Sequence, residues 1–280
     1  MLIIISNIVA IYRKELQGYF ASPLAYGITG IFWLLGGYFL VAILLGPDGI
    51  IQQIATRDQL GITEPQVDAP YEFLKAYLGI MGSLSLFLLP MLSMSLYEEE
   101  RKRGTLELLA TSPLTNWAVA TGKLLAVLTF YISMILPLLG LEAIAINAAQ
   151  PPISPVLLLL GHGGVILLAA AVLSLGMFVS SLTDSAILSA ILTFALVLFL
   201  WVIDVVANNV SGPLAEALKH LSMLTHYTNI IQGLVDTSSI IMLLSYVVLG
   251  VFLTDQSIDA FRFLRSYFIG KNHWLFVKKL

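Results

Sequence analysis

The sequence predicts an all-α integral membrane protein with six transmembrane helices, and three observations predict it. Of its 280 residues, 58% are hydrophobic and only 11% are charged, with a mean hydropathy of +0.92; soluble domains are about 25% charged. Long charge-free windows recur along the chain, each able to hold the roughly 20 apolar residues that cross a bilayer core. The basic residues gather in a few segments rather than spreading evenly. That much apolar surface cannot hide in one soluble core.

The charge-free windows place the spans in order. Glu15 to Asp48 brackets helix 1 at 24–45, and Lys75 to Glu98 brackets helix 2 at 74–96. Lys123 opens helix 3 at 121–146, with Glu142 near its end. The window from Glu142 to Asp184 is too long for one crossing and is broken by Pro151, Pro152 and Pro155, so it predicts a tight hairpin into helix 4 at 156–181. Asp184 to Asp204 gives helix 5 at 186–207, and Asp236 to Asp255 gives helix 6 at 238–255. Helices apolar all round carry little amphipathic signal, so windows outweigh periodicity here.

Orientation follows from Lys and Arg, which are retained on the cytoplasmic side. With both termini cytoplasmic, the inner face holds Arg13, Lys14, Arg101, Lys102, Arg103, Lys123, Arg262, Arg265, Lys271, Lys278 and Lys279. The outer face holds only Arg57, Lys75 and Lys219. The inverse arrangement requires the opposite bias and is rejected.

Three segments outside the spans have their own character. Residues 1–22 predict a helix lying in the inner interface, with Ile8, Ile11, Tyr12, Leu16, Tyr19 and Phe20 on one side and Arg13, Lys14 and Glu15 toward the headgroups. Ser22-Pro23 then ends it. Residues 46–73 form an acidic outer loop. Residues 208–237 are less polar than a loop and predict short outer re-entrant helices over 214–224 and 230–235, separated by His226-Tyr227-Thr228. Residues 256–280 are expected to form a cytoplasmic tail.

The inner segment 97–118 is the most informative. Glu98 with Lys102, and Glu99 with Arg103, stand at i,i+4 with the acid first, the favourable helical order. Gly104 permits a bend, Thr105–Ala110 reads as a second short helix, and Thr111-Ser112-Pro113 as a stop and a cap. Such an ordered, charged elbow suits docking better than a flexible connector does.

Inside the spans, Glu142, His162 and Asp204 are costly unless they face protein or water. Glu142 and His162 lie about equally far from the hairpin turn, so the sequence pairs them; Asp204 is expected at the outer interface. Gly36, Gly37, Gly161, Gly163 and Gly164 are read as close-packing sites, and Pro90 and Pro137 as kinks. The net charge of -3 argues against a nucleic-acid partner, and the absence of cysteine excludes disulfide, zinc-thiolate and iron–sulfur chemistry.

The segments Arg13–Tyr26 (RKELQGYFASPLAY), Glu98–Pro113 (EEERKRGTLELLATSP) and Gly122-Lys123, with a weaker feature at Gly233–Asp236, resemble the ABC-2-type permeases, membrane subunits of ABC transporters. The likeness is greatest to the group with gliding-motility and copper-processing permeases. It implies an ABC-2 (type V-like) fold in a prokaryotic plasma membrane, a pair of six-helix units formed with a second permease copy or a related permease, and a separate ABC ATPase. It also implies export, with an accessory periplasmic or extracellular protein as a further partner beside membrane lipid. Residues 97–118 become the cytoplasmic coupling helix, which makes Glu98, Glu99, Arg101, Arg103, Gly104, Thr105 and Glu107 the ATPase-facing candidates. No G-x-x-x-x-G-K-[ST] loop occurs, since Gly122-Lys123 is followed by Leu124. ATP and magnesium are thus expected on the partner chain, with no cofactor or catalytic residue on this one.

Two other readings compete. Glu98-Glu99-x-x-x-Arg103 and Phe261-x-x-x-Arg265 fit motifs of CAAX-type intramembrane proteases, but no H-x-x-x-N follows, and His162 precedes the second motif. An ATP-independent secondary transporter would carry charges near the midplane in matching halves; here they lie off-centre and no repeat is evident.

Overall fold

The computed structural model describes the backbone of residues 2–62, 68–105, 115–149, 154–234 and 236–277, and most side chains among these up to residue 260. Within them the chain is helical: α1 (Leu2–Ala21), α2 (Pro23–Leu45), α3 (Ile50–Gln59), α4 (Ala69–Ser93), α5 (Glu98–Lys102), α6 (Asn116–Asn147), α7 (Pro155–Leu182), α8 (Ala186–Asn209), α9 (Pro213–Leu221), α10 (Met223–Ile231) and α11 (Thr237–Val277). Six of these segments, at α2, α4, α6, α7, α8 and α11, are long and apolar enough to cross a membrane.

Local chemistry explains the ends. Ser22 caps α2, with Pro23 filling the first turn where no amide donor is needed. Asp68 accepts the Tyr71 amide at 3.2 Å, and Pro70 follows, so α4 begins ahead of the predicted 74. Within the expected acidic loop, residues 50–59 form α3 behind Gly49. At the other end of the chain, α11 stays helical past Asp255 into the expected tail.

α7 is the central pillar. Of its most apolar window 61% is buried, against 17% for α8 and 22% for α2, which therefore face outward. Small residues let neighbours approach it. A Cβ on Gly250 of α11 would stand 2.5 Å from the Ser174 backbone, and one on Gly164 would stand 2.8 Å from Ile230 Cγ2. Gly161 and Gly36 are likewise filled against, by Leu78 and Leu138, whereas Gly37 and Gly163 face open space. Buried aromatic and aliphatic side chains, among them Phe32, Tyr77, Met81, Leu89, Tyr131 and Met134, fill the space between α2, α4, α6 and α7.

Polar cross-links fix the helices in register. Trp33 of α2 donates its indole N–H to Met134 O at 2.8 Å, three residues before Pro137 in α6. The Tyr77 hydroxyl donates to Gly36 O at 3.1 Å, and Tyr246 donates to Leu221 O at 2.6 Å. Asn116 donates to Asp259 at 2.8 Å, which sets the start of α6 beside the later part of α11.

The segment 208–237 breaks where the sequence did not show it. α9 and α10 meet at Ser222 rather than at His226–Thr228, because Ser222 Oγ accepts the Thr225 amide at 3.1 Å as an N-cap. His226 instead lies inside α10, buried, bonded to Ser239 Oγ at 3.1 Å and donating Nε2–H to His220 O at 3.0 Å.

Substituting Gly250 by Leu should force α11 off α7 and lower stability by about 1–3 kcal/mol. A thermal unfolding scan in detergent checks this, and an unchanged midpoint would refute the tight α7–α11 contact.

Candidate functional site

The elbow between α4 and α6 starts as a continuation of a membrane helix. Ser180 of α7 accepts the amides of Tyr97 at 3.0 Å and Glu98 at 3.2 Å, and donates to Met94 O at 2.8 Å. One hydroxyl thus satisfies the backbone where α4 unwinds into α5. Gly104 then ends α5 with φ +66°, its amide bonded to Arg101 O at 3.1 Å and that of Thr105 to Glu100 O at 2.9 Å. This is the glycine-terminated helix stop that needs a left-handed residue. Glu107 and the expected helix over 105–110 lie outside the described residues from 106 on, as do the cap and stop at 111–113.

The candidate residues of the elbow divide by environment. Glu99 and Arg103 are exposed and 3.5 Å apart, so the pair contributes little on its own. Glu98 is only 5% exposed, while Lys102 is exposed. Their spacing suits a helix, but burial separates them, and no ion pair joins them among the described residues. Arg101 donates to Ser181 O at 2.6 Å, which holds α5 against the end of α7.

Sequence reasoning passed over the centre of this region. Lys123, early in α6, is 2% exposed, and its Nζ lies 2.6 Å from Glu100 Oε1 and 3.2 Å from Glu15 Oε1. It also stands 5.0 Å over the Tyr97 ring. One buried cation therefore joins α1, α5 and α6. A Cβ on its neighbour Gly122 would meet Ile11 at 3.0 Å, so α1 lies close on α6 along this line. Tyr19 stacks on Phe130 with centroids 5.4 Å apart and donates to Leu92 O at 2.8 Å. Burial, and then the charges of Glu15 and Glu100, push the Tyr19 phenol well above its usual range, keeping it a donor. Of the α1 candidates, Glu15 turns inward to Lys123, whereas Lys14 stays exposed 3.5 Å from Glu15. The missed signal was a Lys at the start of a span, with unmatched carboxylates on two neighbouring segments.

At the opposite end, α6 and α7 bring Glu142 and His162 together: His162 Nε2 lies 3.3 Å from Glu142 Oε1, with the residues 2% and 0% exposed. His162 Nδ1 stands 3.0 Å from Leu158 O, and a carbonyl only accepts, so Nδ1 carries a hydrogen. The Glu142 contact is an ion-pair approach rather than an aligned hydrogen bond, and Glu142 Oε2 has no protein partner. Asp204 does not join them. Its Oδ1 accepts from the Ser222 and Thr225 hydroxyls, the latter at 2.6 Å, so it ties α8 to the first turn of α10. Among the described residues no three His, Asp or Glu side chains converge to hold a metal.

Chemically, these polar contacts fix helices against one another. The family model described as "ABC-2 family transporter protein" matches residues 50–254. A search among curated proteins returned no match.

Lys123→Met should cost about 3 kcal/mol by leaving two half-buried carboxylates without their shared cation. Adding Glu15→Gln and Glu100→Gln should recover most of that loss. Denaturation of both variants in detergent tests this, and equal stability of Lys123→Met and wild type would show that the cation is solvated.

Proposed function

The chain belongs to the ABC-2 family of transporter proteins, and from that premise we propose that it is the membrane permease of an ATP-binding-cassette exporter driven by a separate ATPase. The observation that carries this reading is the α5 elbow. It is braced by Ser180 and Arg101 against α7, and by Glu100 and Lys123 against α1 and α6. A push on a loosely tethered loop would dissipate; a push on this one reaches three helices through short polar contacts. Closure of two ATPases would thus move the elbow and α1 as one body and shift α2, α4 and α8 against a second permease, a two-state rigid-body change. The outward faces of α2 and α8, with Leu34, Tyr38, Ile187 and Phe199 exposed, supply apolar surface for that pairing.

Sidedness in this reading places both termini and the elbow in the cytoplasm. The support for it is the distribution of Lys and Arg along the sequence, read by the positive-inside rule. The α3 and α9–α10 helices then cover the outer side, and α1 rests in the inner interface with Arg13 exposed toward headgroups. A link to gliding or copper-processing systems would be one specialisation of such an exporter. An ATP-independent transporter leaves the braced elbow without a task, and the protease reading is disfavoured by the position of Glu98, which faces protein beside Ser180 with no histidine bonded to it among the described residues.

The exposed members of the elbow face the partner. Reversing Lys102 and Arg103 together to Glu should weaken capture of the ATPase by at least about tenfold at unchanged thermal stability. Arg101→Ala should instead lower the melting temperature, because it releases α5 from α7. Co-purification from the native host, followed by a thermal scan, reads both; undiminished ATPase capture by the reversed variant would overturn the docking assignment.

A further inference from the structure

A groove of about 710 Å³ runs between α6, α7 and α11, with no residue of α2 or α8 in its wall. Leu125, Leu128, Leu167, Val248 and Phe252 give it an apolar wall, and Gly163 keeps its far end open, with nothing within 4 Å of a Cβ there. Its near end differs: Trp117 and Asp255 stand there, at the end of the bundle that also carries Asn116 and Asp259. At 1.5 Å per residue, the stretch from Leu244 to Asp255 rises about 16 Å. That is roughly half of a ~30 Å hydrocarbon core, the depth of a single leaflet.

We propose that this groove holds one phospholipid of that leaflet, selected for an amine-bearing headgroup of the phosphatidylethanolamine kind. Length and wall chemistry suit one acyl chain, and the charge at the near end selects the head. Among the described residues no Lys or Arg pairs with Asp255; its nearest polar partner is the Gln256 amide at 3.4 Å. Asp259 four residues on is also acidic, and among the described residues its partner is the neutral Asn116. A carboxylate at the edge of the hydrocarbon, with no cation beside it among the described residues, calls for one, and an ammonium group supplies both charge and hydrogens to donate. An anionic headgroup would meet repulsion from both acids. Trp117, 44% exposed, offers its indole at the depth where such rings meet headgroup oxygens. The site would be annular and structural, and its occupancy is read on this chain whether or not it exports.

The test titrates the delipidated full chain with phosphatidylethanolamine or phosphatidylglycerol of identical acyl chains, under native mass spectrometry. The first lipid bound should favour the amine by about tenfold. Asp255→Asn should bring the two lipids to parity, and Leu167→Trp, which fills the groove, should weaken both. Because the chain has no cysteine, Val248→Cys adds a second reading: its alkylation should slow with the amine lipid and not with the anionic one. Equal binding in the wild type, a preference that survives Asp255→Asn, or labelling indifferent to headgroup would each overturn the proposal. So would spontaneous Val248→Cys disulfide linkage between chains, which would make a second copy the occupant.

Discussion

The end of the bundle where α1, α5 and α6 meet is organised around one desolvated ammonium group. Lys123 sits where the membrane helix α6 begins, and its charge is tolerable there only because two carboxylates and an aromatic face surround it. Each carboxylate comes from a different peripheral segment, so neither α1 nor α5 can leave without stranding a buried charge. Burial that would be a liability elsewhere therefore becomes the means by which two surface elements are held to the bundle. Specific position, rather than net stabilisation, is what such a cluster supplies.

α7 plays the complementary part within the apolar interior. Lipid offers no hydrophobic drive for helix association, so close packing and interhelical polar bonds must do the holding. The α7 surface is built for both: Gly161 and Gly164 admit side chains of α4 and α10, and Ser174, Ser180 and Ser181 present hydroxyls to α11, the α4–α5 junction and Ser257. α2 and α8 spend much of their surface outward, with large apolar side chains exposed. The structure thus separates a packed frame around α7 from more exposed helices at its edge.

How much of this the sequence disclosed depended on the length scale of the signal. Spans were legible because an apolar run bounded by charges is a long-range pattern. The Glu142–His162 approach was legible because a hairpin places residues equidistant from its turn beside each other. Lys123 was not, since its partners at Glu15 and Glu100 come from segments whose placement only packing decides. Lys102 and Glu98 misled for a related reason: helical spacing brings side chains to one face but does not say whether that face meets water or α7. The break at Ser222 was hidden by a histidine–tyrosine pair that looks polar in sequence yet is buried between α10, α4 and α11.

The indole of Trp33 has a mechanical consequence. Proline removes a backbone donor, so α6 is weakest in the turn preceding Pro137, and the carbonyl of Met134 lies in that turn with a side chain of α2 bonded to it. Twisting α2 about its own axis must either drag that carbonyl along or release it, changing the curvature of α6. An outward-facing rod therefore steers the bend of an interior one, much as a tiller acts on a rudder it does not touch along its length.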